Sequence, residues 1–273
     1  VNPPTVKYRP KIDLKVYADP DAKPEDQRLA AHALEAITLA GHNHQQMIPA
    51  PIITGNELEE WEKKYRKPPA SEFRRGMYIG DGTGAGKGRQ IAGIILDNWN
   101  QGRKRAVWLS KSSLLDDARR DMNDVANMGH QVFPLNDFKA GDKVTKQEGI
   151  TFLGYETLRS GEQTPEEGKL PKSRVDQLVE WLGEDFDGVI AFDEAHKMAN
   201  AMVVAGDRGA KGASSQALAG LELQQRLPNA RVVYVSATGA TTVHNLAYAQ
   251  RLGLWGGADF PFATRAEFVE AIE

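Results

Sequence analysis

Short apolar runs alternate with amphipathic stretches along residues 76 to 235. The apolar runs predict five strands, at Met77–Ile79, Ala106–Leu109, Ile150–Leu153, Gly188–Phe192 and Val232–Val235. The stretches between them have the spacing of helices, at Gly86–Trp99, Ser113–Val125, Arg174–Leu182 and Ser215–Leu227. Strands that are apolar on both faces and alternate with helices indicate an α/β fold with three layers, in which a mainly parallel central sheet is covered on both sides.

The pattern is less regular outside this region. Within residues 1–72, the segment Val1–Pro24 is rich in proline and charge, which indicates an arm outside the core. The pattern then predicts a helix over Arg28–Leu39 and a solvated helix over Glu57–Arg66. Two further helices are expected at Thr241–Leu252 and Arg265–Ile272. We therefore divide the chain into an N-terminal arm with a helical and irregular segment, residues 1–72, and an α/β domain, residues 73–273.

Composition narrows the class of protein. The 273 residues are 41% hydrophobic and 26% charged, which is typical of a globular protein. There is no cysteine, so disulfides and thiolate metal sites are excluded. The absence of disulfides favours an intracellular setting, which would be the cytoplasm for a bacterial or phage protein and the nucleus for a eukaryotic one. No apolar run is long enough to span a bilayer, and no membrane partner is expected. The chain begins at Val1, which suggests a fragment or a processed product.

A glycine-dense turn between the first predicted strand and helix has the chemistry of a phosphate cradle. Residues 80 to 89 read Gly-Asp-Gly-Thr-Gly-Ala-Gly-Lys-Gly-Arg. Glycines let backbone N–H groups converge on phosphate oxygens, the helix N-terminus adds its positive end, and Lys87 is expected to reach the β- and γ-phosphates. The predicted nucleotide-binding residues are Gly82, Thr83, Gly84, Ala85, Gly86, Lys87, Gly88 and Arg89.

This turn departs twice from the strict P-loop expression Gly-x-x-x-x-Gly-Lys-Ser/Thr. Asp81 stands where the first glycine belongs, and Gly88 stands where the metal-binding hydroxyl belongs. Taken alone, the stretch leaves open a glycine-rich loop with an incidental lysine.

Two further strand ends carry candidate chemistry. The buried strand at 188–192 delivers Asp193, suited to Mg²⁺, and Glu194, suited to polarise an attacking water, with His196 placed to couple this site to a neighbour. The strand at 232–235 ends in Ser236 and Thr238, whose hydroxyls can bond the acidic motif. A solvated acidic turn and an ordinary Ser/Thr cap are the structural alternatives.

Those three stretches, in this order, resemble motifs I, II and III of superfamily two helicases and translocases. In that superfamily Asp-Glu-Ala-His is motif II, the DEAH box, and Ser-Ala-Thr is motif III; they stand here at residues 193–196 and 236–238. The chain also resembles the strawberry notch family, whose ATPase domain has Gly-Asp-Gly-x-Gly-x-Gly-Lys-Gly-Arg, so that both departures from the P-loop agree with that family. Further matching blocks begin at Arg103, Asp185, Leu227 and Arg251. The resemblance covers most of the chain, from about Arg28 onward.

The resemblance implies a RecA-like P-loop NTPase fold that binds and hydrolyses ATP with Mg²⁺ and acts on nucleic acid, with DNA favoured over RNA. It implies catalytic roles for Lys87, Asp193 and Glu194, with Asp193 holding the metal and with His196, Ser236 and Thr238 coupling the motifs. It also implies a second RecA-like domain that supplies arginine fingers. Few residues follow Ser-Ala-Thr, so we expect this chain to be the first motor domain of a larger protein, weakly active by itself.

The resemblance to superfamily two also implies contacts with nucleic acid at the loops after the second and third predicted strands. These loops contain Ser110, Lys111, Tyr155 and Thr157, and hydroxyls, a lysine and free N–H groups at helix starts suit phosphate contacts that do not depend on sequence. Plain helix caps are the alternative. Two rival functions also stay open: a RecA-like scaffold or regulatory module that has lost catalysis, and a P-loop phosphotransferase that acts on a small molecule.

Overall fold

The computed structural model describes residues 6–13, 29–81, 86–160, 172–199, 204–206, 209–211, 214–237, 246–256, 262 and 264–272. The strands, in chain order, are β1 (Met47–Pro49), β2 (Glu72–Arg74), β3 (Met77–Ile79), β4 (Arg105–Ser110), β5 (Val132–Pro134), β6 (Gly149–Gly154), β7 (Val189–Asp193), β8 (Val204–Gly206), β9 (Gly209–Lys211) and β10 (Arg231–Val235). The α-helices are α1 (Ala31–Asn43), α2 (Gly55–Tyr65), α3 (Lys87–Trp99), α4 (Leu115–Ala126), α5 (Tyr155–Leu158), α6 (Arg174–Leu182), α7 (Ser215–Arg226) and α8 (Arg265–Ile272).

Six of these strands form one parallel sheet in the order β3-β10-β7-β4-β6-β5. The five predicted strands are all present within one or two residues of their predicted ends, and β5 joins them at one edge. Two short antiparallel pairs, β1 with β2 and β8 with β9, lie outside this sheet. The predicted mainly parallel α/β architecture is therefore confirmed.

The sheet separates two hydrophobic clusters, because alternate residues of each strand point to opposite faces. On β4, Ala106 and Trp108 belong to a cluster shared with α1, α3 and α4, whereas Val107 and Leu109 belong to a cluster shared with α5, α6 and α7. The same alternation holds along β7 and β10. This arrangement gives the three layers expected from the sequence.

The N-terminal part contributes to the same core. Ile37 of α1 packs against α3 at Gly93, where a Cβ would lie 2.4 Å from the Ile37 Cδ1 atom. Ile12 is also buried in this cluster, and the backbone N–H of Lys11 donates to the Asp97 carboxylate at 2.6 Å. The expectation that the arm lies outside the core is wrong for Ile12. Residues 14–24 of the predicted arm lie outside the described residues, and the division at residues 72 and 73 stays a prediction.

The predicted helices are largely present. Helices α3, α4, α6 and α7 agree with their predicted bounds to within two residues, α1 is shifted toward the C-terminus, and α2 is mostly exposed as expected. The helix predicted over Thr241–Leu252 is not an α-helix in the part that is described, where a 3-10 turn occupies Gln250–Leu252. No helix among the described residues is long and apolar enough to cross a membrane.

Candidate functional site

A cleft of about 210 Å³ opens at the carboxyl ends of the parallel strands. Its walls come from the start of α3, the ends of β4 and β7 and one face of α4. The lining residues are Lys87, Gly88, Trp108, Ser110, Leu114, Asp117, Ala118, Asp121, Phe152, Asp193 and Glu194. Lys87 and the acidic pair, predicted from separate stretches of sequence, therefore face the same space, which is where α/β sheets bind ligands.

The N-terminus of α3 forms one wall of the cleft. Gly86 precedes the helix with φ 70° and ψ 35°, a left-handed conformation that favours glycine, and Lys87 is the first helical residue. The Lys87 ammonium donates to the backbone oxygen of Asp81 at 3.4 Å. The predicted loop residues Gly82, Thr83, Gly84 and Ala85 lie outside the described residues.

Asp81, the first departure from the P-loop expression, anchors the loop to α3. Its carboxylate accepts a hydrogen bond of 2.7 Å from the side-chain amide of Gln90, which is completely buried. This bond joins the second residue after β3 to the first turn of α3, so the two sides of the loop are held together. The sequence reasoning missed Gln90, although its spacing of three residues from Lys87 places it on a neighbouring helical face.

Asp193, at the end of β7, is held by three hydrogen bonds. The Ser110 hydroxyl donates to one carboxylate oxygen at 2.7 Å, and the Glu194 N–H donates to the other at 3.0 Å. The Tyr155 hydroxyl donates to the Asp193 backbone oxygen at 2.6 Å. Burial raises the pKa of Asp193, against the opposing effects of the Ser110 hydrogen bond and the Lys87 charge. The carboxylate is thus fixed in direction and poorly solvated, as a group that meets a cation would be.

Glu194 lies in a strained backbone conformation. Its φ of 51° is one of three positive values at non-glycine residues in the described part of the chain. The residue follows β7 and precedes a 3-10 turn, Ala195–Met198, whose Ala195 and Met198 side chains are buried. Such conformations cost of order 1–3 kcal/mol and collect at functional sites. Here the strain directs the carboxylate into the cleft beside Asp193.

His196 connects the acidic strand end to the neighbouring one. Its Nδ1 atom lies 3.0 Å from the Ser236 hydroxyl and 3.3 Å from a Glu194 carboxylate oxygen. The Ser236 N–H donates to the Ile79 carbonyl at 3.1 Å, so β10 bridges the strand before the phosphate loop and the strand of the acidic pair. Thr238, the other predicted coupling residue, lies outside the described residues.

Two residues predicted to touch nucleic acid are instead buried inside the site. Ser110 and Tyr155 have no exposed surface, and both hydroxyls bond to Asp193. The prediction of nucleic-acid contact is therefore corrected for these two side chains, which position Asp193. Lys111 is exposed and Thr157 is half-buried, so these two keep their predicted accessibility.

Arg89 also has a different neighbour from the one expected. Its guanidinium pairs with Asp124 of α4 at 3.1 Å, and Arg89 is not among the residues that line the cleft. In the observed conformation the guanidinium joins α3 to α4, and a contact between Arg89 and a nucleotide stays a prediction.

Negative charge dominates the cleft. Among the described residues, its lining includes four carboxylates, Asp117, Asp121, Asp193 and Glu194, and one lysine, Lys87. An anionic phosphate would be repelled by this lining unless a cation accompanied it, and carboxylate oxygens are the ligands that Mg²⁺ prefers. Among the described residues no three His, Cys, Asp or Glu side chains converge as a metal site by themselves. The donor set therefore fits Mg²⁺ that arrives with nucleotide oxygens and water.

Comparisons with known proteins agree with this geometry. A family model described as P-loop containing NTP hydrolase pore-1 matches residues 1–273. Protein strawberry notch homolog 1 of Gallus gallus is 41% identical over 279 residues, which cover 100% of this chain and 20% of that protein. Protein FORGETTER 1 of Arabidopsis thaliana is 42% identical over 209 residues, which cover 75% of this chain and 15% of that protein. The chain thus spans a fifth or less of these relatives.

A solved structure supports the fold. The Sulfolobus solfataricus SWI2/SNF2 ATPase core in complex with dsDNA superposes with a TM-score of 0.50 at 13% sequence identity, covering 89% of this chain and 43% of that one. The resemblance to the strawberry notch family and the RecA-like fold expected from the motifs are both confirmed. This chain belongs to the P-loop containing NTP hydrolase pore-1 family and is homologous to the strawberry notch proteins over its whole length.

Proposed function

We propose that this chain is an ATP-binding and ATP-hydrolysing motor domain of a superfamily two helicase or translocase that acts on nucleic acid. The observation that carries the proposal is the shared cleft of Lys87, Asp193 and Glu194, which come from two strand ends. Lys87 would bind the β- and γ-phosphates, Asp193 would hold Mg²⁺ directly or through water, and Glu194 would orient the attacking water. The bound metal would neutralise phosphate charge.

The cleft volume fits the phosphate end of a nucleotide. At about 210 Å³ it is smaller than the roughly 300–1,000 Å³ of sites that enclose whole ligands. The ribose and base would therefore lie outside it, toward the surface on which a second motor domain would close. We place the first motor domain in residues 73–273 and propose such a second domain in the complete protein, as a source of arginine fingers.

Glu194 provides the sharpest test of the chemistry. Glu194→Gln keeps the shape of the side chain but removes its charge, so nucleotide affinity is expected to stay within a few-fold while phosphate release falls by at least about 100-fold. Glu184→Gln, an exposed glutamate remote from the cleft that pairs with Lys67, is the matched control. Equal turnover by the Glu194 variant and the parent would remove Glu194 from the mechanism.

Nucleic acid is the proposed partner, and DNA is favoured. Lys111 and Thr157 follow β4 and β6 at the edge of the sheet that holds the cleft, where they can contact a phosphate backbone without reading its sequence. The test is phosphate release by the complete protein with single- and double-stranded DNA and RNA. Stimulation by nucleic acid supports the proposal, whereas turnover indifferent to all four would contradict it. We propose an intracellular site of action on the same basis.

One observation favours a catalytically weak scaffold as the second candidate. Gly88 offers no hydroxyl for the metal, so the usual P-loop ligand is missing. The same phosphate-release experiment separates the candidates, because a scaffold would bind nucleotide without turnover even when nucleic acid is present.

A further inference from the structure

The space beside Gly88 is filled by a carboxylate from another helix. Gly88 follows Lys87 in the first turn of α3, at the position where P-loops carry the metal-binding hydroxyl. A Cβ built on Gly88 would lie 1.9 Å from Oδ2 of Asp121 and 2.9 Å from its Cγ, closer than real atoms approach. An oxygen from α4 thus occupies the volume that a serine or threonine side chain would take.

Asp121 differs from its neighbours on α4. Asp117 pairs with Arg120 at 2.6 Å, and Asp124 pairs with Arg89 at 3.1 Å. Within the described part of the chain, Asp121 makes no hydrogen bond or ion pair, although its half-buried side chain lines the cleft. The charges of Arg120 and Arg89 act on the Asp121 carboxylate from a distance and lower its pKa against the effect of burial, but neither arginine pairs with it. A poorly solvated carboxylate that faces a phosphate site without a direct ion pair is stabilised when a cation joins it.

We propose that Asp121 supplies the oxygen ligand for the nucleotide's Mg²⁺ that Gly88 lacks, either directly or through a water molecule. This inference rests on the proposed function, since it assigns a residue to the same nucleotide site. The glycine at 88 is then required for two reasons: any side chain there would displace the carboxylate, and the ligand already comes from α4. On this proposal the Asp121 carboxylate replaces the P-loop hydroxyl as the metal ligand, so the absence of a hydroxyl at position 88 does not indicate lost catalysis.

The inference predicts opposite effects on metal-bound and metal-free nucleotide. Without metal, the Asp121 carboxylate repels the phosphates, so removing its charge leaves affinity unchanged or raises it. With metal, the same change removes a ligand and lowers affinity. A residue with only a structural role would shift both affinities in the same direction.

The experiment uses the 273-residue chain, Mn²⁺ as the probe and adenylyl imidodiphosphate as the non-hydrolysable nucleotide. Electron paramagnetic resonance measures Mn²⁺ affinity in the presence of the nucleotide, and calorimetry in EDTA measures metal-free nucleotide affinity. Asp121→Asn is expected to weaken Mn²⁺ binding about 10- to 100-fold and to leave metal-free binding unchanged or tighter. Asp116→Asn removes the same charge from a side chain of α4 that is 95% exposed, and is expected to change neither value.

A ligand exchange provides the second variant. Gly88→Ser combined with Asp121→Gly returns the hydroxyl to α3 and clears its space, so Mn²⁺ affinity is expected to recover relative to Asp121→Gly alone. Parent-like Mn²⁺ affinity in Asp121→Asn, or equal weakening with and without metal, would overturn this inference while leaving nucleotide binding intact. A parent chain that binds no nucleotide under either condition would overturn the proposed function and this inference together.

Discussion

Ser110 shows how one hydroxyl determines the direction of the central carboxylate. It is completely buried on β4, and its hydrogen bond to Asp193 spans two adjacent strands at 2.7 Å. Because hydrogen bonds to charged groups contribute about 1.5–3 kcal/mol, this contact stabilises both the fold and the orientation of Asp193.

Ser110→Ala should therefore lower the free energy of unfolding by about 1.5–3 kcal/mol, measured by urea denaturation at neutral pH. Ser112→Ala, two residues along and exposed, is the matched control and should stay within about 0.5 kcal/mol of the parent. A Ser110 variant as stable as the control would show that the hydroxyl does not hold Asp193.

His44 couples stability to pH. It lies at the end of α1, only 2% exposed, and its Nε2–H donates to the Val232 carbonyl of β10 at 3.1 Å. Burial lowers the pKa of His44 to about 3, from the ordinary value of 6.5. The unfolded chain therefore binds one more proton than the folded chain between these two values, and this contribution to stability is lost as pH falls from about 6.5 toward 3.

His44→Gln keeps a donor for Val232 and removes the titration. The unfolding free energy of the parent minus that of the variant should be constant above pH 6.5. Below pH 6.5 this value should fall, by at most about 1.4 kcal/mol per pH unit, because only the parent loses stability through His44. Burial raises the pKa of Asp121 to about 6, which acts with opposite sign, but that term is present in both proteins and cancels. A difference that does not vary between pH 7 and pH 4 would contradict this account.

Among the elements, β10 sets the spacing of the site. It lies between β3, which leads into the phosphate loop, and β7, which carries Asp193, with Val235 paired to both Ile79 and Asp193. Neighbouring strands are about 4.8 Å apart, so the intervening strand leaves roughly 9.5 Å between the other two. Direct neighbours would leave no room for a phosphate group and its cation between lysine and carboxylate.

Arg251 joins several elements at the opposite end of β10. Its buried guanidinium donates to the carbonyls of Gln224, Leu227, Pro228 and Ala230 at 2.6–3.1 Å, and it stacks 4.3 Å from the centre of the Phe73 ring. These carbonyls end α7 and lead into β10, where the Leu227 and Pro228 oxygens also accept from the backbone N–H groups of Ala230 and Arg74, so the guanidinium adds donors to a connection that is only partly satisfied by the backbone. The Arg251 side chain thus supplies hydrogen-bond donors to the carbonyls of the segment that connects α7 to β10.

Arg251→Lys should destabilise the chain by about 1–3 kcal/mol, because an ammonium has three donors for these four carbonyls and leaves at least one of them without its side-chain partner. Thermal unfolding followed by circular dichroism measures the effect. Arg120→Lys, an exposed arginine that pairs with Asp117, should be almost neutral. Equal melting temperatures for the two variants would rule out the capping role.

The sequence predicted elements better than side-chain directions. Strands β4, β6, β7 and β10 and the helices beside them were found because their apolar runs are long and alternate regularly, and the short strand β3 was found because it precedes the glycine-dense turn. The three-residue strands β1, β2 and β5 are too short to show a period and have no such motif beside them. Ser110 and Tyr155 were assigned to nucleic acid because a hydroxyl at a strand end looks the same whether it points outward or toward a neighbouring strand. Asp121 gave no signal, since its relation to Gly88 exists only once α3 and α4 pack together.

In the molecule as a whole, helices cover both faces of one parallel sheet. Described residues that precede β3 in the chain pack into the hydrophobic cluster on one of these faces. Helix α1 and Ile12 share a cluster with α3, whose N-terminus points at the cleft. The segment before residue 73 thus supports the helix that carries Lys87. A net charge of -3 and an acidic cleft mean that an anionic ligand binds only where Lys87, the helix N-terminus and a cation act together.

Calorimetric titration of the 273-residue chain with ATP and Mg²⁺ tests the central claim most directly, with Lys87→Ala beside the parent. Lys67→Ala, which removes a half-buried lysine that pairs with Glu184 and does not line the cleft, is the matched control. We expect the parent and the control to bind ATP with the same affinity and Lys87→Ala to lose detectable binding. Binding by Lys87→Ala as tight as that of the parent would contradict the assignment of this cleft to a nucleotide.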